Sequence, residues 1–283
     1  MVALASLHQL DPVRFDTPAI LKKLASASRQ LAELKGIAAA IPNQGILINT
    51  LGLQEAKASS EIENIVTTHD ELFKDDVLPE AFANPAAKEV LRYRQALRVG
   101  FAQVQASGLI TANHIVDIQS ELSESIHPFY DGNARTGRIL NVLYLVKEGL
   151  LDIPVLYLSS YIVQTKSDYY RLLQMVREDD RWEEWVIYLL EAVEETAQRT
   201  VATIHAIKVA LADYKHRIRE GYKFYSQDLI NNLFTHPYTK IDFVQRDLKV
   251  SRLTSTKYLE ALVDGGFVQK QKSGAAITTS TWC

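Results

Sequence analysis

The chain of 283 residues has a single cysteine, Cys283, which is its last residue. One cysteine excludes an internal disulfide and a thiolate-based metal cluster, so a reducing compartment is expected. No apolar run reaches the roughly 20 residues that a membrane helix needs. Residues 1–11 also lack the basic stretch and apolar segment of a secretion signal. These absences predict a cytoplasmic protein that is neither secreted nor inserted in a membrane.

Strong net charge is also missing. The chain has 31 Lys and Arg against 34 Asp and Glu, for a formal net charge of −3. No global basic field therefore attracts nucleic acid or an anionic membrane, and any basic surface must be local. The hydrophobic content of 47% is ample for a packed core of one large or two modest domains.

One short stretch, residues 126–138, concentrates groups that bind phosphate, and it reads IHPFYDGNARTGR. Gly132 and Gly137 let backbone N–H groups approach an anion closely. The apolar run Ile139 to Val146 continues the stretch as a helix, whose N-terminus points its positive dipole end at phosphate oxygens. This pattern is typical of an anion site at a helix start.

The charged and titratable side chains of the same stretch add chemistry to that site. Asp131 is a hard oxygen ligand suited to Mg²⁺. Arg135 and Arg138 lie three residues apart, so they share a helix face and can grip successive phosphates. His127 is mostly neutral at pH 7 and can take a proton from an attacking hydroxyl. Together these residues predict a site for a nucleotide triphosphate.

This stretch resembles the signature of the Fic family, H-P-F-x-D/E-G-N-x-R-x-x-R, at every defining position. The resemblance implies a helical fold and the transfer of AMP from ATP to a hydroxyl side chain of a protein, with pyrophosphate leaving. It also implies a role for each motif residue: His127 as the base, Asp131 as the Mg²⁺ ligand, Asn133 at the transferring phosphate, and Arg135 and Arg138 at the β- and γ-phosphates.

Two further features refine the implied nucleotide site. Position 134 is Ala, an accepted variant of the family's usual Gly; relatives that transfer phosphate tend to have Lys there and to lack the last arginine. Ala134 together with Arg138 therefore favours AMP transfer.

Tyr169 and Tyr170 match an adjacent tyrosine pair that lies near the nucleotide base in parts of the family. The alternative for these two tyrosines is ordinary helix core.

A second motif matches the family's inhibitory pattern S/T-x-x-x-E-G/N at residues 59–64. Ser59 and Glu63 are four residues apart and would share one face of a helix expected at about 53–65. In the family, the Glu that matches Glu63 pairs with the last motif arginine, here Arg138. ATP would then bind weakly or with its α-phosphate misaligned for attack. The alternative is that Ser59 and Glu63 are ordinary solvated helix residues.

Helical periodicity predicts an all-α fold with no strands in residues 1–220, which we take as the Fic-like domain. The helices expected there are Pro18 to Ile41, Leu53 to Ile65, Pro85 to Gln105 capped by Asn84, Thr111 to Leu122, Ser160 to Val176, and Trp182 to Arg219. Residues 221–283 have the outline of a winged helix, with short helices at Phe224 to Leu233, Ile241 to Leu248 and Leu253 to Val263. Its wing is expected to be cut short by the tail that ends the chain.

The third short helix of this module looks like the recognition helix of a helix-turn-helix. Arg252 and Lys257 are its best candidates for contact with DNA phosphates. Winged helices also serve in homodimers and in protein docking, so both DNA binding and docking stay open.

One segment common in relatives with this layout is missing. Between the helix that ends at Leu122 and the motif histidine, such relatives usually carry several dozen residues, including a β-hairpin flap that aligns the target by strand addition. Here residues 123–126 lead straight to His127. The sequence predicts an adenylyltransferase that uses ATP and Mg²⁺, is restrained by Glu63, and modifies a Ser, Thr or Tyr hydroxyl of a target or of itself. The alternative is a nucleotide-binding regulator or docking protein with an impaired Fic core.

Overall fold

The structure is a computed structural model, and it describes residues 10–68, 71–72, 84–122, 133–235, 238–273 and 276–280. Eleven α-helices can be bounded in these residues, together with a short 3₁₀-helix (Pro12–Phe15) and one small three-stranded sheet. The predicted all-α class is confirmed. The lone sheet lies near the end of the chain.

Two long helices open the fold, α1 (Pro18–Ala39) and α2 (Gln44–Ile62). Thr17 caps α1, where its hydroxyl accepts a hydrogen bond from the Ile20 N–H at 3.3 Å, and Asn43 caps α2. Helix α2 starts nine residues earlier than the predicted Leu53 and has a largely buried surface. It therefore runs through the core rather than along the outside, where an amphipathic helix would lie.

Three helices form the body that surrounds the motif: α3 (Pro85–Ser107), α4 (Ala112–Leu122) and α5 (Asn133–Lys147). The predicted cap Asn84 is confirmed, because its side chain accepts a hydrogen bond from the Ala86 N–H at 3.0 Å. Gly100 of α3 allows the three helices to approach closely. A Cβ atom at this position would lie 2.5 Å from Leu143 of α5 and 2.7 Å from Ile118 of α4.

The next region is more broken than the sequence indicated. In place of one helix from Ser160 to Val176, the structure has α6 (Ser159–Gln164) and α7 (Lys166–Asp179). The break falls at Thr165, whose hydroxyl bonds to the Tyr161 carbonyl oxygen and to the Tyr188 hydroxyl. A threonine that bonds in this way competes with helix continuation. Helix α8 (Trp182–Gly221) follows, 40 residues long, and packs along α1.

The C-terminal region contains short elements that surround a small antiparallel sheet with strand order β1-β3-β2. They are α9 (Gln227–Thr235), β1 (Tyr238–Lys240), α10 (Ile241–Leu248), α11 (Arg252–Asp264), β2 (Gln269–Ser273) and β3 (Ala276–Ser280). A wing cut short by the chain's tail was predicted, yet β2 and β3 pair over five residue positions, from Gln269 with Ser280 to Ser273 with Ala276. The winged-helix interpretation itself and the division at residue 220 stay predictions.

The apolar core extends through most of the described helices and continues into the C-terminal elements. Tyr214 of α8 donates a hydrogen bond to the Phe267 carbonyl oxygen at 2.9 Å and packs edge-on against the Phe267 ring. Among the described residues, no helix combines the length and apolar character needed to cross a membrane.

Candidate functional site

The described part of the predicted phosphate site is the first turns of α5. This helix begins at Asn133. Three predicted site residues precede it and lie outside the described residues: the base His127, the metal ligand Asp131, and Gly132. Asn133 and Ala134 are exposed at the helix start. The N–H groups of the first helical turn have no partner within the helix, which suits this end of α5 to an anion.

The guanidinium of Arg138 is the best-defined feature of the site. Its side chain is 3% exposed, and it makes three hydrogen bonds to two residues of the α2 end. Nε donates to Ser59 Oγ at 2.7 Å, while Nη2 donates to the Ser59 carbonyl oxygen and to Glu63 Oε1, both at 2.9 Å. The predicted pairing of Glu63 with Arg138 is therefore present, and Ser59 also bonds to the same arginine. We call this set of bonds the inhibitory contact, after the role predicted for Ser59 and Glu63.

The way α2 ends places Glu63 for this contact. Glu63 is the residue that follows the last helical residue, and Asn64 has the left-handed conformation with φ of 62°. The Ile65 N–H bonds to the Ser60 carbonyl oxygen and the Asn64 N–H to that of Glu61, both at 3.0 Å. This is the Schellman pattern, which favours Gly or Asn at the left-handed position. The pattern gives a physical reason for the Gly or Asn that follows the motif glutamate.

Arg135, the other motif arginine, is held by a different carboxylate. It is 5% exposed, and its Nη1 donates to Glu89 Oε2 of α3 at 2.8 Å. Glu89 also accepts a hydrogen bond from Arg92 on its own helix through Oε1 at 3.0 Å. The role of Arg135 as a phosphate ligand stays a prediction, and in the structure this arginine joins α5 to α3.

Gly137 lies one turn into α5, beyond the first-turn N–H groups that have no partner within the helix. A Cβ atom here would meet no atom within 4 Å, so the glycine leaves open space on the helix surface. Its predicted contact through the backbone N–H is not supported by this position, since an N–H so far inside a helix is normally bonded within it. Open space beside Arg138 instead leaves room for a bound group.

Behind the inhibitory contact lies a buried carboxylate that the sequence analysis missed. Glu55 of α2 is 2% exposed and accepts hydrogen bonds from the Tyr93 hydroxyl at 3.1 Å, from the Ser159 N–H at 2.9 Å and from the Ser159 hydroxyl. Burial raises the pKa of Glu55, whereas these hydrogen bonds and the charge of Arg138 act in the opposite direction. The only sequence signal was a glutamate four residues before Ser59, on the same face of the helix.

Three family models match separate parts of the chain. The model described as Fic/DOC family N-terminal matches residues 21–102, and the Fic/DOC family model matches residues 111–145. The model for the C-terminal domain of SoFic-like protein adenylyltransferases matches residues 211–277. The chain belongs to the Fic family. Its domain types are those of Fic-type protein adenylyltransferases in general.

The fold of this Fic family protein is also similar to a solved structure. A crystal structure of a Fic family protein from Desulfovibrio desulfuricans G20 matches with a TM-score of 0.51 at 17% sequence identity. The match covers 94% of this chain and 97% of that one. At this identity the likeness concerns the fold alone. The C-terminal family match begins at residue 211, inside α8, ten residues before the predicted boundary at 221.

The two tyrosines expected near the nucleotide base have different surroundings. Tyr169 is half-buried and its ring packs against those of Trp185 and Tyr188. Tyr170 is 45% exposed, and its ring meets that of Tyr169 edge-on. Partial burial raises the pKa of the Tyr170 phenol, and the charge of Glu63 raises it further while Arg138 lowers it. Tyr170 therefore lies within electrostatic reach of the inhibitory contact, while Tyr169 is partly buried and packs against the core. The role of both tyrosines at the nucleotide base stays a prediction.

No metal site is formed by the residues that the structure describes. Asp131 is outside the described residues, and elsewhere in the described part no group of three or more His, Cys, Asp or Glu side chains is placed to hold a metal ion. The fit of Mg²⁺ therefore rests on the residue type at position 131 alone.

The candidate DNA contacts lie on the exposed face of α11. Arg252 forms an ion pair with Asp242 of α10, with Nη1 and Oδ1 2.9 Å apart and both side chains more than 60% exposed. Lys257 is exposed one turn further along. Leu253 is also 68% exposed beside them. This face offers one paired cation, one lysine and an exposed leucine, so both DNA and docking interpretations stay open.

Proposed function

We propose that this Fic family protein transfers AMP from ATP to a hydroxyl side chain of a target protein or of itself, and that Glu63 restrains the transfer by occupying Arg138. The observation that carries the proposal is the inhibitory contact, because Glu63 and Arg138 lie in two separate motifs and were predicted to pair. An arginine that is 3% exposed and whose Nε and Nη2 already donate to its own chain cannot offer these donors to a γ-phosphate.

In the proposed reaction, the target hydroxyl oxygen attacks the α-phosphorus of ATP. A bond forms between that oxygen and phosphorus, the bond from phosphorus to the β-bridging oxygen breaks, and pyrophosphate leaves. His127 accepts the hydroxyl proton. Asp131 is the residue we propose to hold Mg²⁺, which when bound offsets the negative charge of the phosphates.

The other motif residues would position the nucleotide for in-line attack. Asn133 and the N–H groups of the first turn of α5, which have no partner within the helix, suit the transferring phosphate. Arg138 would hold the γ-phosphate once Glu63 leaves its Nη2. Tyr170, exposed and close to this pair, suits contact with the base of the nucleotide.

A second candidate function is a nucleotide-binding regulator or docking protein without useful transfer. It is favoured by the short connection between α4 and His127, where residues 123–126 leave no length for a strand hairpin that would align a target. The exposed face of α11 gives such a protein a candidate docking surface.

Labelled ATP with Mg²⁺ tests the two functions. The full chain and its Glu63→Gly variant are incubated with ATP labelled on the α-phosphate, and covalent label on the protein is measured beside equilibrium binding of ATP. Self-labelling by the Glu63→Gly variant that His127→Ala abolishes supports transfer. Saturable ATP binding without any covalent label, even with added candidate targets, supports the regulator and overturns the enzyme.

A further inference from the structure

Glu55 is a charged group in a place where helices normally bury apolar side chains. It lies four residues before Ser59 on α2, so the two side chains share one face of the helix. Burying a carboxylate costs several kcal/mol unless hydrogen bonds and a counter-charge offset that cost. Its partners Tyr93 and Ser159 are both 0% exposed. Water therefore supplies neither the hydrogen bonds nor the counter-charge, and the protein must provide both.

The hydrogen bonds of Glu55 lie one helical turn from the inhibitory contact. Tyr93 of α3 donates to Glu55 at 3.1 Å, and Ser59 follows Glu55 four residues later on the same face of α2. Ser59 in turn accepts the Nε–H of Arg138. A path of buried side chains therefore runs from Tyr93 and the Glu55 carboxylate along α2 to Ser59 and the arginine. Its members come from three helices, α2, α3 and α5.

The electrostatics follow the same path. Arg138 acts on the Glu55 carboxyl through its charge and lowers the pKa that burial raises. Arg138 thus has two carboxylates near it, Glu63 in direct contact and 33% exposed, and Glu55 buried behind Ser59. Only Glu63 can be displaced into solvent without opening the core.

We propose that Glu55 is a positioning residue for the inhibitory contact: its bonds to Tyr93 and Ser159 fix the last turns of α2, and Ser59 on those turns holds Arg138. By fixing Ser59, it holds the Nε edge of the guanidinium and the last turn of α2 in the place from which Glu63 reaches Nη2. The inference rests on the proposed restraint of ATP binding by Glu63. It also means that α2 stays docked when the restraint is lifted, and that the Glu63 side chain is the group that moves.

The test is a double-mutant cycle on ATP affinity in the full chain, with Tyr93→Phe and Glu63→Gly alone and together. Tyr93→Phe keeps the buried ring and removes only the hydroxyl that bonds to Glu55. A typical hydrogen bond contributes about 0.5–1.5 kcal/mol, so Tyr93→Phe should tighten ATP binding roughly two- to tenfold while Glu63 is present. In the Glu63→Gly background the same change should alter ATP affinity by less than about twofold, since no contact remains to be loosened.

Tyr214→Phe is the matched control, because it removes one hydroxyl that bonds to Phe267 in the C-terminal region, far along the chain from the motif. It should lower the melting temperature and leave ATP affinity unchanged in both backgrounds. Should Tyr93→Phe fail to fold, Glu55→Gln takes its place in the cycle with the same expectation.

The outcomes separate this inference from the proposed function. If Glu63→Gly tightens ATP binding and Tyr93→Phe has the same effect in both backgrounds, Glu55 and Tyr93 are merely structural and the inference is overturned. If Glu63→Gly itself leaves ATP affinity unchanged, the proposed restraint fails, and the inference fails with it.

Discussion

Glu63 Oε1 and Arg138 Nη2 lie 2.9 Å apart although 75 positions separate the two residues in the chain. The two partners differ in freedom: the arginine side chain is 3% exposed, while the glutamate side chain is 33% exposed and follows the end of its helix. The arginine is also held by Ser59 through Nε and Nη2. A ligand phosphate that approaches Arg138 therefore competes with Glu63 for Nη2, and the glutamate is the partner that can leave.

Removing the Glu63 carboxylate should strengthen ATP binding. A hydrogen bond to a charged group contributes about 1.5–3 kcal/mol, so Glu63→Gly should tighten productive ATP binding roughly ten- to a hundredfold. Self-labelling should rise further, because a held γ-phosphate fixes the α-phosphate in line with the hydroxyl. The measurements are ATP affinity by calorimetry and the rate of covalent labelling.

The control for this prediction is the double variant Glu63→Gly with Arg138→Ala. It should lose the gain, since no arginine remains to be released. If the double variant binds ATP as tightly as Glu63→Gly alone, the effect does not pass through Arg138, and Glu63 has only a structural role at the end of α2.

The left-handed residue Asn64 should matter for the same contact. Only Gly and Asn adopt this conformation readily, and other residues are strained by roughly 1–2 kcal/mol. Asn64→Ala should therefore loosen the turn that carries Glu63 and tighten ATP binding by up to about tenfold. Asn64→Gly keeps the turn and loses only the bond that Lys166 donates to the Asn64 side chain at 3.0 Å, so it should bind ATP like the unchanged chain.

Equal ATP affinities for the Asn64→Ala and Asn64→Gly variants would contradict this account, because only the alanine strains the backbone. The comparison is best made with thermal melting recorded in parallel. A fall in melting temperature for Asn64→Ala without any change in ATP affinity would show that the turn supports α2 but not the inhibitory contact.

His127 is the residue on which the proposed chemistry depends. In the activated Glu63→Gly background, His127→Ala should remove covalent labelling while ATP affinity stays within about threefold, because a base acts in the transition state and not in binding. Any remaining labelling should be roughly 10² to 10⁴-fold slower. Loss of ATP binding together with labelling would instead indicate a role in folding or nucleotide binding.

The parts of this site that the sequence predicted are those that depend on short-range pattern. Ser59, Glu63 and Arg138 lie in two short motifs, which can be recognised from the sequence without knowledge of the fold. Their contact is present in the structure. Asn84 was predicted as a cap because capping depends on residues only two or three positions apart.

The parts that the sequence did not predict depend on packing between distant elements. Glu55 and Glu89 look like ordinary helix glutamates in the sequence, and only tertiary packing brings them to Ser159 and Arg135. The break at Thr165 depends on its bond to Tyr188, 23 residues further along. Strand β1 pairs with β3 from 38 to 42 residues away, so no local period marks it.

Glu89 should behave differently from Glu63, although each pairs with a motif arginine. Glu89→Gln leaves the charge of Arg135 without its carboxylate in a largely buried position, with side chains 6% and 28% exposed. We expect a loss of roughly 1–3 kcal/mol in the free energy of unfolding, between the values for surface and buried pairs. ATP affinity should not rise, because this pair joins α3 to α5 and does not cover Arg138.

The matched control for that change is Glu195→Gln on α8, which removes a carboxylate paired with Arg199 where both side chains are more than 40% exposed. Its free energy of unfolding should be nearly unchanged. If Glu89→Gln tightens ATP binding as Glu63→Gly does, Glu89 is a second restraint on the site and the structural interpretation of the pair is wrong.

The C-terminal region allows a direct decision between DNA binding and docking. If α11 contacts DNA, replacing Arg252 and Lys257 by alanine in the full chain should weaken binding to duplex DNA and lower the salt slope by about one for each lost phosphate contact.

Asp242→Asn is the informative partner variant, since it removes a negative charge and releases Arg252 from its ion pair at 2.9 Å. DNA binding by this variant should therefore be tighter than that of the unchanged chain, and the gain should disappear when Arg252 is also replaced. If neither the unchanged chain nor the Asp242→Asn variant retards duplex DNA at low salt, the cations of α11 do not serve phosphate contact, and the exposed Leu253 beside them favours a docking surface for a protein partner.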